Sequence, residues 1–208
     1  MRVATPSKIV CVGRNYAAHA RELGNEVPRE PLIFLKPSSA IIADGETIRM
    51  PGVSQRVEYE SEIAIVMGRR ARHVTATDAM DYVRGFTCAN DVTCRDLQKS
   101  DSQWTRAKGF DTFCPVGPVV AAGLDWQALE VIGRLNGVET QRGRARDMIF
   151  SIPVVIAYIS GIMTLEPDDL ILTGTPEGVG PVAAGDVVEV EIPGVGVLRN
   201  VVAAEERG

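Results

Sequence analysis

Three glutamates alternate with other residues in the stretch VEYESEIAIV, which runs from Val57 to Val66. Successive side chains of a strand point to opposite faces, so a strand here would place Glu58, Glu60 and Glu62 on one face. Side chains two residues apart stand about 6.6–6.8 Å apart along a strand, and two such glutamates can converge on one hard cation. A solvated strand face is the alternative. The apolar run that follows favours a central strand, in which charges need partners.

Asp91 is a candidate third oxygen ligand, because Asn90-Asp91 lies where an extended run meets a predicted helix. The same position would also suit Asp91 as the N-cap of that helix. Arg95 follows one helical turn later and could point the same way. Gln98 lies in the same helical stretch. The segment therefore predicts either a cation ligand or a helix cap.

A histidine and a glutamate stand three residues apart in the sequence HARE, His19 to Glu22. This spacing places both side chains on one face of a helix, where the carboxylate can orient the ring and raise its basicity. Such a pair suits a general base that acts on water. A surface pair without function is the alternative. The second histidine, His73, lies in a basic, loop-like stretch that suits solvent.

The stretch LTGTPEGVGP, residues 172–181, is a glycine-rich loop. Backbone N–H groups of such loops often bind anions, and Thr173 and Thr175 add hydroxyls that could hold a carboxylate. No Gly-Lys-Ser/Thr follows, so the loop is not a P-loop. A tight connection between two strands is the alternative. Lys108 is a lone lysine, and composition gives no reason to single it out.

These side chains must be positioned by a chain of many short strands and few helices. The pattern predicts helices over 16–24, ended by Gly24, over 75–86, and over 151–164, with Ser151 as N-cap and Pro153 in the first turn. Asn136-Gly137 predicts a hairpin turn. Because strands and helices do not alternate regularly, the fold class is predicted as α+β with a mixed or antiparallel sheet.

Bulk composition limits the kinds of partner. The 208 residues carry a net charge of -5 and a pI near 5.2, which argues against nucleic acid or an anionic membrane as the main partner. The uncharged run from Met148 to Leu165 fits a buried helix better than a membrane span. The four cysteines lack metal-site spacing, which favours free buried thiols. We therefore expect a cytoplasmic protein.

In series, these motifs resemble those of the fumarylacetoacetate hydrolase family, specifically its short, single-domain branch. The matching motifs extend over about residues 8–190 and occur in the same order as in the family. The matching stretches are CVGRNYAAHARELG, PLIFLKPSSAI, VEYESEIAIVMG, GFTCANDVTCRDLQ, WTRAKGFDTFCPVGP, RLNGVETQRG, MIFSIPVVIAYIS and LEPDDLILTGTPEGVGP.

The resemblance implies a ligand set. Glu60 and Glu62 match the family's Glu-x-Glu, which binds Mg²⁺ or Mn²⁺, and Asp91 completes the set. Glu58 precedes the motif and is not expected to be a ligand. Three carboxylates would give the site a charge near −3, which a divalent cation would offset.

The resemblance also implies catalytic and substrate-binding roles. His19 and Glu22 match the pair on the family's lid helix that positions and deprotonates water, and Lys108 matches the active-site lysine near the metal. The expected substrate-binding residues are Arg95, Gln98, Thr175 and Arg14. Phe34 and Lys36 also lie in matching stretches.

The activity implied is that of a Mg²⁺-dependent enzyme acting on a small 2-oxo or 2,4-dioxo acid through a metal-stabilised enolate. Hydrolysis of an acylpyruvate C–C bond is the first choice. Oxaloacetate decarboxylation and isomerisation of 2-hydroxyhepta-2,4-diene-1,7-dioate are the alternatives within the class. A non-catalytic binding module of the same fold is the alternative outside it, and that module would be expected to have lost ligand positions.

The architecture implied is a mixed β-roll or β-sandwich with short peripheral helices. One catalytic domain is expected over residues 1–208, with about 8–50 carrying the lid helix and about 51–208 forming the β-roll core. A homodimer is expected, without nucleic acid or membrane partners.

Overall fold

The computed structural model describes residues 5–205, which form fifteen strands and four α-helices. In chain order the strands are β1 (Ile9–Gly13), β2 (Leu32–Lys36), β3 (Ile41–Ile42), β4 (Thr47–Met50), β5 (Val57–Tyr59), β6 (Ser61–Met67), β7 (Val83–Asn90), β8 (Thr93–Cys94), β9 (Cys114–Ala121), β10 (Glu130–Leu135), β11 (Val138–Arg144), β12 (Leu170–Leu172), β13 (Gly180–Pro181), β14 (Val187–Ile192) and β15 (Gly196–Ala204). The helices are α1 (Ala17–Glu22), α2 (Arg95–Ser100), α3 (Thr105–Lys108) and α4 (Ile152–Ile162).

The largest sheet has seven strands in the order β2-β1-β12-β6-β7-β9-β3. Strand β1 runs parallel to β12, whereas β6 is antiparallel to both β12 and β7. Every residue of β6 is buried. The apolar run after Glu62 therefore does form a central strand, as predicted.

The two faces of this sheet are buried differently. Ile63, Ile65 and Met67 of β6 belong to the main core, which also contains residues of α4 and of the second sheet. Ala64 and Val66 belong to a separate cluster built almost entirely from strands of the same sheet. Because residues of one face pack on one another, the sheet curves into a roll. The predicted α+β fold is confirmed, and Glu62 shares the inner face with Ala64 and Val66.

The second sheet, β11-β10-β14-β15-β4, covers the outer face of the roll together with α4. Strands β10 and β11 form the predicted hairpin, and Asn136 and Gly137 have φ values of 53° and 79°, as a type I′ turn requires. A third sheet has the order β13-β5-β8.

Helix α4 begins after Ser151 and has Pro153 in its first turn, as predicted, but the Ser151 side chain makes no capping hydrogen bond. Within residues 5–205, no helix combines the length and apolar character needed to cross a bilayer. All four cysteines are free and buried, as predicted.

The predicted helix over 75–86 is wrong. Only a short 3₁₀ turn, Ala79–Tyr82, forms there, and β7 begins at Val83. Phe86 and Cys88 of β7 then alternate into the main core while Ala89 faces the interior of the roll. Burial on both faces of the sheet outweighs the local helical pattern.

Candidate metal centre and active site

Glu60 lies at the point where the chain leaves one sheet and enters another. Strand β5 ends at Tyr59 in the three-stranded sheet, and β6 begins at Ser61 in the seven-stranded sheet. The N–H of Glu60 donates to Asn90 Oδ1 at 2.9 Å, and the N–H of Asp91 donates to the Glu60 carbonyl at 2.9 Å. These two bonds hold the end of β7 against the break between β5 and β6.

Three buried carboxylates meet at this break. Glu60, Glu62 and Asp91 each offer an oxygen, and these oxygens lie within 4.8 Å of one another. Glu58 lies outside the group, because its oxygens accept from Arg56 Nε at 2.5 Å and Arg95 Nε at 2.6 Å. Asp91 does not cap a helix, since α2 begins only at Arg95.

Buried cations pair with two of the three carboxylates. Lys108 Nζ donates to Glu60 Oε2 and to Asp91 Oδ2, both at 2.7 Å. The other oxygen of Glu60 accepts from Arg95 Nη2 at 2.6 Å, and the other oxygen of Asp91 accepts from Lys36 Nζ at 2.5 Å. The charge near −3 expected from the carboxylates alone is therefore wrong, because Lys36, Arg95 and Lys108 are buried among them.

Glu62 is bonded more sparsely. Its Oε2 accepts from the N–H of Gly174 at 2.6 Å, and within residues 5–205 no cation pairs with its carboxylate. Burial, followed by the charges of Asp91 and Glu60, raises the pKa of Glu62 well above its usual value. Burial also acts to raise the pKa of Glu60, but Lys108 and Arg95 outweigh it and hold that pKa below its usual value.

The donor set fits a hard divalent cation. Its ligands are carboxylate oxygens only, and Glu62 retains an oxygen without a hydrogen bond in the described chain. Glu60, Glu62 and Asp91 would hold the ion, because their oxygens already converge. The raised pKa of Glu62 has the same cause, an unmatched negative charge in a buried place.

His19 and Glu22 lie on α1 as predicted. His19 is buried, and its Nδ1 lies 3.3 Å from Glu22 Oε2. Gly24, with φ 69°, ends the helix by donating its N–H to Arg21 O at 2.9 Å. The other oxygen of Glu22 accepts from the N–H of Gly178 at 3.0 Å. Helix α1 is therefore anchored to the glycine-rich loop.

That loop does bind anions through its backbone, but they are carboxylates of the same chain. Gly174 binds Glu62 and Gly178 binds Glu22. The hydroxyl of Thr175 donates to Ser61 O at 3.0 Å and accepts from Gln141 Nε2. Thr175 would have to break its bond to Ser61 before it could donate to a substrate.

One cavity of about 290 Å³ collects most of the predicted site residues. Glu22 contacts His19 and the glycine-rich loop but does not line the cavity. The predicted residues that do line it are Arg14, His19, Glu60, Glu62, Asp91, Arg95, Gln98, Lys108 and Thr175.

Sequence reasoning gave no role to several residues that build the site. Lys36 is fully buried at the end of the apolar strand β2, and a lysine in such a run is the signal that could have found it. Gln141 receives the N–H of Ser61 at 2.9 Å and donates to Thr175, so it fixes β6 to the loop. Trp104 lines the cavity, and nothing in its local sequence pattern indicated this.

The chain is similar to several known proteins. The mitochondrial oxaloacetate tautomerase of Arabidopsis thaliana is 49% identical over 195 residues, which cover 91% of this chain and 87% of the relative. The mitochondrial oxaloacetate decarboxylase of Dictyostelium discoideum is 48% identical over 198 residues, covering 92% and 91%. The crystal structure of 2-hydroxyhepta-2,4-diene-1,7-dioate isomerase from Mycobacterium marinum matches 98% of this chain and 77% of that one, with a TM-score of 0.90 and 46% identity.

The family model for the fumarylacetoacetate hydrolase C-terminal domain matches residues 8–203. This span includes all four α-helices and every strand except the last residue of β15, together with all residues of the carboxylate cluster and its cations. The chain belongs to the fumarylacetoacetate hydrolase family.

Proposed function

We propose that this protein is a divalent-metal-dependent enzyme that promotes enolisation of a small, anionic 2-oxo acid, with oxaloacetate as the favoured substrate. Tautomerisation or decarboxylation would be the outcome. The observation that carries the proposal is the unmatched Glu62 carboxylate in an otherwise paired, buried cluster that lines a cavity. The names of the relatives from Arabidopsis thaliana and Dictyostelium discoideum support the same substrate.

The charge balance of the cluster supports an anionic substrate. Three buried cations lie among four buried carboxylates, so a bound divalent cation would change the formal charge of the set from −1 to +1. A negatively charged substrate would then complement the site. The set comprises Lys36, Lys108 and Arg95 with Glu58, Glu60, Glu62 and Asp91.

Different residues of the site would hold the metal, stabilise developing charge and orient the substrate. A divalent cation held by the three carboxylates would supply Lewis acidity to the oxygens of the 2-oxo acid. Lys108, whose pKa is raised by Asp91 and Glu60 against the lowering effect of burial, would keep its positive charge where negative charge develops. Arg95 and Gln98, which are bonded to each other at 2.5 Å, would orient the substrate.

The pair His19–Glu22 would move the proton. When Glu22 accepts from Nδ1, the neutral ring carries its free lone pair on Nε2, and that nitrogen can act as the base. The same pair could activate water, and this observation favours a second candidate function, hydrolysis of an acylpyruvate. Both candidates use one cavity and one set of residues.

The test is turnover of oxaloacetate and of acetylpyruvate by the purified protein with Mg²⁺, followed by addition of EDTA. We expect chelator-sensitive turnover, faster with oxaloacetate. Binding of metal and oxalate without any turnover would instead identify a binding module. No chelator-sensitive turnover of either acid would refute the enzyme proposal.

His19→Ala separates the base from the metal site. We expect turnover to fall about a hundredfold or more, because a positioned general base contributes about that much. Affinity for Mg²⁺, measured by calorimetry, should not change, since His19 is not among the converging carboxylates. Unchanged turnover in this variant would remove His19 from the mechanism.

A further inference from the structure

Part of the cavity wall is aromatic. Trp104 and Phe34 meet edge to face with their ring centroids 5.3 Å apart, and both line the cavity. The guanidinium of Arg14 lies over the Trp104 ring, 5.8 Å from its centroid. Within about 6 Å of a ring face, a cation is attracted to the aromatic quadrupole. Trp104 therefore favours one orientation of the Arg14 side chain.

The backbone of Arg14 is held in an unusual conformation. Its φ is 56°, in the left-handed region that residues with side chains rarely adopt. The next residue, Asn15, is fully buried and fixes the turn through Phe150 and Thr173 O, with bonds of 2.8–3.0 Å. Arg14 is thus presented to the cavity by a fixed turn rather than by a free loop.

Trp104 is fitted closely to the same turn. A Cβ added at Gly13 would lie 2.9 Å from the Trp104 ring, closer than real Cβ contacts. Glycine at this position leaves room for the indole against the end of β1. The ring, the turn and the guanidinium therefore form one packed unit.

Arg14 differs from the deeper cations in having no acidic partner in the described chain. Lys36, Lys108 and Arg95 each contact a carboxylate at 2.5–2.7 Å, whereas Arg14 forms no ion pair within residues 5–205. Lys99 also lines the cavity, but it is exposed and forms no cation–π contact with a ring of residues 5–205. Arg14 is consequently a charged donor group available to a ligand.

We propose that Trp104 positions Arg14 to bind the distal carboxylate of a dianionic 2-oxo acid, and so makes the enzyme select dicarboxylates over monocarboxylates of equal length. This rests on the proposed function, in which the 2-oxo acid end lies at the three carboxylates. Arg14 touches the ligand, and Trp104 is a positioning residue. The planar guanidinium can bind a carboxylate through two parallel hydrogen bonds.

The experiment compares ligands that differ at one end only. The pairs are 2-oxoglutarate with 2-oxopentanoate, and oxaloacetate with 2-oxobutanoate, in which a methyl group replaces the distal carboxylate. Oxalate serves as a probe of the metal end alone. Dissociation constants are measured by calorimetry with Mg²⁺ for the unreactive acids, and oxaloacetate is followed through its KM and kcat.

In the wild type we expect each dicarboxylate to bind about tenfold or more tightly than its methyl-ended partner, which corresponds to one charge-assisted contact. Arg14→Gln should abolish this preference. Trp104→Leu should reduce it severalfold, while Trp104→Phe, which keeps an aromatic face, should retain most of it. Gly13→Ala should resemble Trp104→Leu, because the added methyl displaces the ring.

Three further readouts distinguish the inference from a general structural effect. Affinity for oxalate should stay constant in all four variants, and the KM for oxaloacetate should rise more than kcat falls. Lys99→Gln, the matched control, should keep the preference. Loss of the preference in the Lys99 variant but not in the Arg14 variant would overturn the inference.

Failure of the inference and failure of the proposed function give different results. If oxalate binds but the wild type shows no preference, or Arg14→Gln and Trp104→Leu both retain it, the distal site is wrong and the proposed function stands. If neither oxalate nor any 2-oxo acid binds in the presence of Mg²⁺, the proposed function is wrong, and the inference fails with it.

Discussion

The molecule contains two buried acidic centres that are bonded in opposite ways. At the first, Asp169 accepts four hydrogen bonds: from Ser7 Oγ at 2.7 Å, from the N–H groups of Lys8 and Glu166 at 3.1 and 2.8 Å, and from Lys8 Nζ. At the second, Glu62 accepts one bond, from the N–H of Gly174. The carboxylate of Asp169 has all its acceptor capacity used by hydrogen bonds, whereas one oxygen of Glu62 accepts no hydrogen bond from residues 5–205.

The difference separates a structural carboxylate from a functional one. Asp169 fixes the segment before β1 to the segment before β12, and its bonds leave it no capacity for a ligand. Glu62 is costly to keep ionised in the fold, as its raised pKa indicates, and gains a partner only when a cation is supplied. Burial alone would not have distinguished the two.

The largest expected effect comes from removing the negative charge of Glu62. Glu62→Gln should lower turnover by at least about a hundredfold and weaken Mg²⁺ binding, because one of three ligands loses its charge. The unfolding free energy of the metal-free protein should stay the same or rise, since a buried, unmatched charge is removed. Urea unfolding in EDTA and calorimetry with Mg²⁺ measure the two quantities. Unchanged Mg²⁺ affinity would contradict the ligand assignment.

Removing the negative charge of Asp169 should instead lower stability and leave metal binding unchanged. Asp169→Asn should lower the unfolding free energy by about 2 kcal/mol, because the charge-assisted bond to Lys8 is lost and an amide cannot accept all four bonds. Mg²⁺ affinity should remain that of the wild type. Equal stability of the variant and the wild type in urea would show that Asp169 is not a structural centre.

The smallest expected effect is the pH dependence of the stability that Asp169 contributes. Although burial acts to raise the pKa of Asp169, the N–H of Glu166, then Lys8 and Ser7, outweigh it and lower the pKa from its usual 3.8. The carboxylate therefore contributes stability above the unfolded pKa, and this contribution is lost as the pH falls through the folded pKa.

The stability difference between wild type and Asp169→Asn should consequently be constant near neutral pH. Below about pH 4 it should shrink, because a protonated aspartate resembles asparagine. Urea unfolding of both proteins across this range measures the difference. A stability difference that grows as the pH falls would mean that the pKa of Asp169 is raised in the folded protein.

The sequence predicted the elements whose signals are local. The hairpin at Asn136-Gly137 and the end of α1 at Gly24 depend on backbone conformations that these residues favour, and both are confirmed. The central position of β6 followed from its apolar run. The alternation of glutamates also placed Glu60 and Glu62 near one another, although Glu60 lies at a break between two strands.

The remainder depends on contacts distant in the chain. Lys36 is separated from Asp91 by 55 residues, and no local pattern states that the two form a buried pair. The predicted helix over 75–86 was wrong because β7 is stabilised by its neighbours on either side in the sheet, not by its own sequence. Residue types and spacing could therefore propose the carboxylates of the site and Arg95, but not the buried pairing of Lys36 with Asp91.

The parallel pairing of β1 with β12 has a consequence for how the protein is made. Residues Ile9 to Cys11 pair with Leu170 to Leu172, so the large sheet cannot be completed until the chain has been synthesised beyond that point. Until then, β12 is missing, and this is the strand that lies between β1 and β6 in the complete sheet. Such long-range pairing slows folding and leaves strand edges exposed. During biosynthesis, the nascent chain should therefore depend on chaperones for longer than its modest size would suggest.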